Sequence, residues 1–217
     1  MIRPAFLFDL DGTLADTLPD LAASTNHVRA QHGLPPVELA VVRGFVGDGA
    51  RTLVARALAE VLPAGAAGER QLDRAFEDYV THHRVQCTVL SALYPGVREH
   101  LEQLHEQGVA LGVVTNKPEQ FARPLLRHLG LHDLLSVIVG GDTVPQRKPD
   151  PEPLRFALRE LGLTAAAATM VGDGVQDLRA GKAAGLRTIG CLFGYGDPDA
   201  LRREGADAFW SRFGTAE

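Results

Sequence analysis

The chain has 217 residues, of which 45% are hydrophobic, and carries 27 acidic against 22 basic residues for a formal net charge of -5. This length and apolar content suit a large α/β domain or a smaller core with an inserted module, and they exclude a disordered chain, while the negative charge gives no reason to expect a nucleic-acid partner. The apolar runs are too short to span a membrane, the segment before Asp9 is too short for a signal peptide, and the two cysteines form no CxxC pattern, so we expect a cytoplasmic protein.

Five short apolar runs predict buried strands, because none alternates apolar with polar residues as a strand with one solvent-facing side does. The runs are Ala5–Phe8, Val109–Val114, Val137–Val139, Thr169–Val171 and Thr188–Phe193. Helical patterns between the later runs end at Gly108, Gly130 and Gly162, each suited to a left-handed stop. Strands alternating with helices predict an α/β fold with a Rossmann-like parallel sheet core flanked by helices.

Residues 17–90 break this alternation, because they contain helical patterns and no convincing strand. Thr17 is expected to cap one helix, Asp48 to cap a second that ends before Pro63, and the spacing of Leu72, Phe76 and His83 predicts a third. We therefore expect an all-helical cap domain at 17–90, inserted into a core domain formed by 1–16 and 91–217. Residues 16–18 and about 85–93 are the predicted hinges of a cap that closes over the site and excludes water.

Polar residues follow four of the five runs, at the edge where a parallel sheet binds its ligands. Asp9 and Asp11 follow the first run, and side chains two residues apart can point to one site. Two close carboxylates call for a cation, and oxygen ligands favour Mg²⁺. The alternative is that Asp11 and Gly12 simply form a turn. Asp173, after the fourth run, can complete the metal site, and Asp177 can support it from one helical turn on.

The second and third runs add a hydroxyl, an amide and a cation. Thr115 and Asn116 can hold a phosphate oxygen, although a cap on the following helix is the alternative. Lys148 lies beside Pro149 on a stiff segment that suits a fixed cation near phosphate; the alternative is a solvated lysine in a loop before a helix capped by Asp150. Helix capping alone does not readily explain why such motifs follow four successive strands.

Taken in order, these motifs resemble the four signatures of the haloacid dehalogenase superfamily of phosphohydrolases. The matching segments are Asp9-Leu10-Asp11-Gly12-Thr13, Thr115-Asn116, Lys148-Pro149, and Gly172-Asp173 with Asp177. Within the superfamily, Val46-Gly47-Asp48-Gly49 and Gly140-Gly141-Asp142 look like the bacterial phosphoglycolate phosphatases. Asp48 stands where those enzymes commonly have Asn, and Gly174 replaces their usual Ser.

The resemblance implies a two-step reaction. Asp9 would attack phosphorus and form an aspartyl-phosphate, while Asp11 would protonate the leaving oxygen and then activate the hydrolytic water. Thr115 and Asn116 would hold the phosphoryl oxygens, and Lys148 would steady the charge of Asp9 and of the phosphate.

The resemblance also implies Mg²⁺ as the cofactor, bound by Asp9, the backbone carbonyl of Asp11 and Asp173, with Asp177 in support. The expected partner is a small phosphorylated metabolite, with 2-phosphoglycolate as the leading substrate. A sugar or amino-sugar phosphatase and a β-phosphoglucomutase-like phosphomutase are the alternatives. The chain is expected to be a monomer or a homodimer.

Other residues offer weaker signals. Arg43 and Arg51 either meet an anionic substrate or serve as surface charges within the helical module. The eight histidines have no metal-ligand spacing, and Trp210 and Phe213 are expected to pack the C-terminal tail.

Overall fold

The computed structural model describes residues 4–217. The first three residues of the predicted core range 1–16, which also begin the segment before Asp9 that was judged too short for a signal peptide, lie outside the described residues. The described chain divides into two compact units, one formed by residues 4–16 and 92–217 and the other by Thr17–Ser91. Within residues 4–217, every helix is too short or too polar to cross a lipid bilayer.

The elements are numbered in chain order. The strands are β1 (Ala5–Phe8), β2 (Ala15–Asp16), β3 (Ala92–Leu93), β4 (Ala110–Val114), β5 (Val137–Val139), β6 (Ala168–Gly172), β7 (Arg187–Cys191), β8 (Ala208–Arg212) and β9 (Thr215–Ala216). The helices are α1 (Leu18–Gln31), α2 (Leu39–Arg43), α3 (Ala50–Ala57), α4 (Ala66–Gln86), α5 (Val97–Glu106), α6 (Glu119–His128), α7 (Glu152–Leu161), α8 (Val175–Ala184) and α9 (Pro198–Glu204). Short 3-10 turns cover His132–Leu134 and Ala165–Ala167.

The first unit is built on a seven-stranded sheet with the order β5-β4-β1-β6-β7-β8-β9. The neighbours from β5 to β8 are parallel, and β9 pairs antiparallel with β8. Strand β1 lies inside the sheet, between β4 and β6. The carboxyl ends of these three strands therefore meet at one edge of the sheet, where ligands of parallel sheets bind.

Both faces of the sheet are covered by helices, which explains why its strands are continuously apolar. On β1, Leu7 packs in one core cluster with Leu154 and other residues of the α7 and α8 side. The next residue, Phe8, points the opposite way and packs with Leu101 and Leu125 of α5 and α6. Each face thus has its own hydrophobic core, and the sheet between them is a rigid platform for the residues at its edge.

A second, two-stranded sheet marks the point where the chain leaves the first unit and returns to it. Strand β2 pairs antiparallel with β3, with Ala15 opposite Leu93 and Asp16 opposite Ala92. Residues 17–91 are inserted between these two paired segments.

The predicted α/β fold, with a parallel sheet and a helical insertion, is confirmed. All five predicted strands are present, although some of their ends differ from the prediction. Strand β6 extends to Ala168 and Gly172, and β7 stops at Cys191. The short strands β2, β3, β8 and β9 were not predicted. Trp210 and Phe213 were expected to pack the C-terminal tail, and both are buried in the core, with Trp210 inside β8.

The second unit consists of α1 to α4, and the two helix caps predicted for it, Thr17 and Asp48, are wrong. Helix α1 follows Thr17 without a side-chain cap hydrogen bond, and α3 begins at Ala50 after Gly49. The Asp48 carboxylate instead binds the guanidinium of Arg56. A charged partner has displaced the local contact with the helix N-terminus. Helix α2 was not predicted.

One carboxylate inside the helical unit has a structural role. Asp20 of α1 is fully buried and accepts hydrogen bonds from the backbone N–H groups of Leu90 and Ser91 at 3.0 and 2.8 Å. It also accepts from the Ser91 hydroxyl at 2.7 Å and from the Gln86 amide at 2.8 Å. These bonds tie the start of α1 to the end of the unit.

Candidate active site

Asp9 follows β1 directly and meets a buried lysine from a different loop. Its Oδ1 lies 3.2 Å from Nζ of Lys148 and accepts a hydrogen bond from the Leu10 N–H at 2.7 Å. The same Nζ lies 2.6 Å from Oδ1 of Asp177 and donates to the Val114 carbonyl at 2.6 Å. Lys148 is therefore a cation fixed between two carboxylates, as its place beside Pro149 suggested.

Asp173 follows β6 and is held by donors on both oxygens. The Thr13 hydroxyl donates to Oδ1 at 2.7 Å, and the N–H groups of Tyr195 and Gly196 donate to Oδ2 at 2.7 and 3.3 Å. Tyr195 also donates its phenol hydroxyl to Asp16 at 2.8 Å. The segment after β7 thus orients Asp173 and is fastened to β2.

The turn after Asp11 comes so close to Asp173 that it requires glycine. Gly12 has φ +83°, and a Cβ at this position would lie 2.4 Å from Oδ2 of Asp173. A side chain would both strain the backbone and displace that carboxylate. The Asp-Gly pair is therefore a turn, as the alternative interpretation held, and this turn also places Asp9 and Asp173 around one space.

Asn116 uses its side chain on the lysine loop. Its Oδ1 accepts from the Lys148 N–H at 3.0 Å, and its Nδ2 donates to the Lys148 carbonyl at 2.9 Å. Thr115 is buried in the same loop, and its hydroxyl accepts from the Lys117 N–H at 3.2 Å. The Asn116 side chain therefore positions Lys148, and its contact with phosphate stays a prediction.

Asp11 lies beside a second buried lysine that the sequence analysis did not select. Nζ of Lys117 is 3.0 Å from Oδ1 and 3.2 Å from Oδ2 of Asp11. The Lys117 side chain is 3% exposed and that of Asp11 is 12% exposed. The predicted acid and this lysine therefore form one nearly buried ion pair.

Burial and crowding shift the proton equilibria of the cluster. Burial, and then the charge of Asp9, raise the pKa of Asp173 to about 6, although its three hydrogen-bond donors oppose this rise. Burial by itself lowers the pKa of Lys148, but the carboxylates of Asp177 and Asp9 outweigh that effect and raise it overall. Burial also raises the pKa of Asp177, against the opposing charge of Lys148. The lysines alone therefore do not compensate the charge of the crowded acids.

The donor set fits a hard divalent cation. Carboxylate oxygens of Asp9, Asp173 and Asp177 all lie within 4.8 Å of one another, and all three residues are buried. With Asp11 included, the site holds four carboxyl side chains and two lysine side chains, so its acidic groups outnumber its basic groups by two. An all-oxygen set with this excess of acidic groups is what Mg²⁺ prefers in proteins.

The structure brings the predicted residues of the first unit together, namely Asp9, Asp11, Thr115, Asn116, Lys148, Asp173 and Asp177. The two arginine candidates lie in the helical unit. Arg51 donates to Glu69 and Asp73 at 2.7 and 2.8 Å, which supports its interpretation as a charge within the module, and Arg43 is exposed on α2.

Two contributors were missed by the sequence analysis. Lys117 stands inside a selected motif, but its side chain was not considered. Tyr195 follows the fifth apolar run, and extending the search for polar residues to that run would have included it.

The chain is similar in sequence to a known protein family and to individual members of it. Residues 6–191 match the sequence profile of the haloacid dehalogenase-like hydrolases. A phosphoglycolate phosphatase of Neisseria meningitidis is 42% identical over 202 residues, covering 93% of this chain and 86% of its own length. One of Pseudomonas fluorescens is 41% identical over 189 residues, covering 87% and 69%.

Solved structures agree with the sequence matches. A predicted phosphoglycolate phosphatase of Haemophilus somnus superposes with a TM-score of 0.87 at 32% identity, covering 97% of this chain and 95% of that one. The protein CbbY of Rhodobacter sphaeroides, solved with xylulose-(1,5)bisphosphate, gives a TM-score of 0.75 at 30% identity, covering 98% and 95%. These matches confirm the expectation of a phosphatase from the motif pattern. The chain belongs to the family of haloacid dehalogenase-like hydrolases.

Proposed function

We propose that this protein is a Mg²⁺-dependent phosphatase that hydrolyses 2-phosphoglycolate to glycolate and phosphate through an aspartyl-phosphate on Asp9. The observation that carries the proposal is the meeting of Asp9 with Lys148, Asp173 and Asp177 in one buried cluster. The substrate is suggested by relatives named phosphoglycolate phosphatase at 41 to 42% identity.

In the proposed first step, a carboxylate oxygen of Asp9 forms a bond to phosphorus while the bond from phosphorus to the ester oxygen breaks. The leaving oxygen takes the electron pair of that bond and a proton from Asp11. In the second step, a water oxygen attacks phosphorus and gives a proton back to Asp11. The bond from phosphorus to Asp9 then breaks, which releases phosphate and restores both acids. Dividing the displacement in two is the benefit of a covalent nucleophile.

The surrounding residues hold the reacting groups in this scheme. Lys148 fixes one oxygen of Asp9 and adds positive charge near the phosphoryl group. Thr115 and backbone N–H groups of its loop are proposed to contact the phosphoryl oxygens, with Asn116 acting on the position of Lys148.

Mg²⁺ is proposed to be held by Asp9, the backbone carbonyl of Asp11 and Asp173, with Asp177 in support. When bound, the ion supplies charge that neutralises both the crowded carboxylates and the phosphoryl oxygens.

The acid at position 48 of the helical unit is compatible with a proposed carboxylated substrate. Asp48 differs from the Asn common in phosphoglycolate phosphatases, but its charge is balanced by Arg56 within the same unit. We further propose that the enzyme acts in the cytoplasm on a small phosphorylated metabolite, which suits an acidic chain with no overall basic field.

A sugar phosphate is the second candidate substrate. CbbY, which is similar over nearly the whole chain, was solved with a sugar bisphosphate. Every catalytic residue proposed above would serve that substrate equally well, because specificity depends on loops outside the reacting cluster.

The test is phosphate release from a panel of esters with and without Mg²⁺. The panel contains 2-phosphoglycolate, sugar phosphates, amino-sugar phosphates and a hexose monophosphate offered with its bisphosphate. We expect the highest kcat/KM for 2-phosphoglycolate, and an acid-stable, hydroxylamine-sensitive phosphoenzyme in quenched reactions. A higher kcat/KM for a sugar phosphate would replace the substrate, and bisphosphate formation without phosphate release would indicate a phosphomutase. No turnover of any ester would overturn the proposal.

A further inference from the structure

The ion pair between Lys117 and Asp11 joins the two loops that carry the reacting groups. Asp11 comes from the loop after β1 and Lys117 from the loop after β4, and these strands are neighbours in the sheet. The two N–O distances of 3.0 and 3.2 Å mean that a single ammonium contacts both oxygens of the carboxylate. Such a contact directs both oxygens of the carboxylate toward the ammonium and limits the side-chain rotamers open to Asp11.

The backbone of Lys117 is itself fixed at both ends. Its N–H donates to the Thr115 hydroxyl at 3.2 Å, and its carbonyl accepts from the Gly141 N–H at 2.8 Å. Gly141 lies so close that a Cβ there would be 2.2 Å from the Asn116 carbonyl oxygen. A long lysine side chain normally has several rotamers, but this one starts from a rigid segment and is 3% exposed.

We propose that Lys117 is a positioning residue that orients Asp11 for proton transfer to the leaving oxygen. The inference rests on the proposed function, in which Asp11 is the acid. Each carboxyl oxygen has two lone-pair directions, so the contact with Lys117 leaves directions for a proton and for the substrate. Proton transfer in a transition state requires hydrogen-bond reach and alignment, which an unrestrained aspartate side chain lacks.

Two simpler roles predict different kinetics. If Lys117 only balanced the charge of the cluster, its loss would slow all esters alike. If it contacted the phosphoryl group, its loss would again affect all esters, and it would do so even when Asp11 is absent. A residue that acts through the acid matters most for esters whose leaving oxygen needs a proton.

The experiment compares Lys117→Met with the parent on phenyl phosphate and p-nitrophenyl phosphate, which have nearly the same shape but leaving groups of different acidity. We expect kcat/KM for phenyl phosphate to fall about 100-fold. The kcat/KM for p-nitrophenyl phosphate should fall by about tenfold or less, because a nitrophenolate leaves without a proton. The loss should lie in kcat, with KM changed little. The ratio of the two esters is independent of the folded fraction, so partial misfolding of the variant does not affect it.

Two further variants complete the test. Lys182→Met removes a partly exposed lysine of α8 and should leave the ratio at the parent value. In an Asp11→Asn background, adding Lys117→Met should not multiply the losses, because one residue acts through the other. Equal losses on both esters, or multiplied losses in the double variant, would overturn the role of Lys117 alone. A parent protein that releases phosphate from neither aryl ester nor any ester of the panel above would overturn the proposed function and this inference with it.

Discussion

The two units of the chain both bury charged side chains, but they satisfy them in different ways. In the helical unit, the buried Asp20 is surrounded by hydrogen-bond donors without charge, from the backbone and from Gln86 and Ser91. In the α/β unit, the buried charges face one another, as acids Asp9, Asp11, Asp173 and Asp177 and lysines Lys117 and Lys148. The first arrangement is complete in itself, whereas the second has an excess of negative charge.

This difference separates a structural charge from a functional one. A buried carboxylate with enough donors stabilises the fold and needs no ligand. Carboxylates crowded against one another cost stability unless a cation or a substrate compensates them, and such clusters occur preferentially at active sites. Burial alone therefore does not identify the reacting residues; the nature of the partners does.

The largest effect is expected for Asp9→Asn. The amide is a poor nucleophile toward phosphorus, so kcat should fall on the order of 10⁴-fold or more, measured as phosphate release with Mg²⁺ present. The thermal unfolding temperature should change little, since the change removes one of four crowded acids. The matched control is Asp199→Asn on the exposed start of α9. Activity near the parent value in the Asp9 variant would exclude this residue as the nucleophile.

The reverse pattern is expected for Asp20→Asn in the helical unit. An amide nitrogen replaces one acceptor oxygen, so donors at the end of the unit lose their partner, and the free energy of unfolding should fall by about 2 to 4 kcal/mol. Urea unfolding monitored by circular dichroism measures this loss. The kcat of the folded fraction should stay within about threefold of the parent. A drop in kcat as large as that of the Asp9 variant would contradict the distinction between the two units.

Metal binding should depend on pH through Asp173. Because its pKa is raised to about 6 in the folded metal-free protein, that form gains stability from the bound proton at low pH and loses it as pH rises through about 6. Mg²⁺ must displace this proton, so its affinity should fall about tenfold from pH 7.5 to about pH 5. Isothermal titration calorimetry, with ionic strength held constant, checks this. An affinity that is the same at both pH values would show that Asp173 is not a ligand.

The smallest effect is expected for Arg51→Ala. Its ion pairs with Glu69 and Asp73 lie at the surface of the helical unit, where water and salt weaken them, so unfolding should change by about 1 kcal/mol or less. The kcat/KM for 2-phosphoglycolate should remain near the parent value. A selective rise in KM would instead assign Arg51 to binding of the anionic substrate, the other role considered for it.

The sequence predicted the central strands and the polar residues after them, because both depend on local composition. It did not predict β2, β3 and β9, since two residues carry no periodicity, and it did not predict β8, in which Ser211 and Arg212 interrupt the apolar pattern. Tertiary partners overrode the local cap at Asp48, whose carboxylate binds Arg56.

Within the candidate site, residue types were predictable and side-chain directions were not. The Asn116 amide has the same chemistry whether it contacts a phosphate or the Lys148 backbone, and the distance between two loops decides which. Lys117 has the same limitation, because its partner Asp11 lies 106 positions away in sequence.

The pairing of Ala15 with Leu93 and of Asp16 with Ala92 brings the start and the end of a 75-residue insertion to adjacent backbone positions. Any segment whose own termini lie about one strand spacing, roughly 5 Å, apart can be spliced at this point without altering the register of the large sheet. Evolution can thus exchange the inserted module for another while inheriting the chemistry unchanged, and protein engineers can graft foreign modules at the same junction.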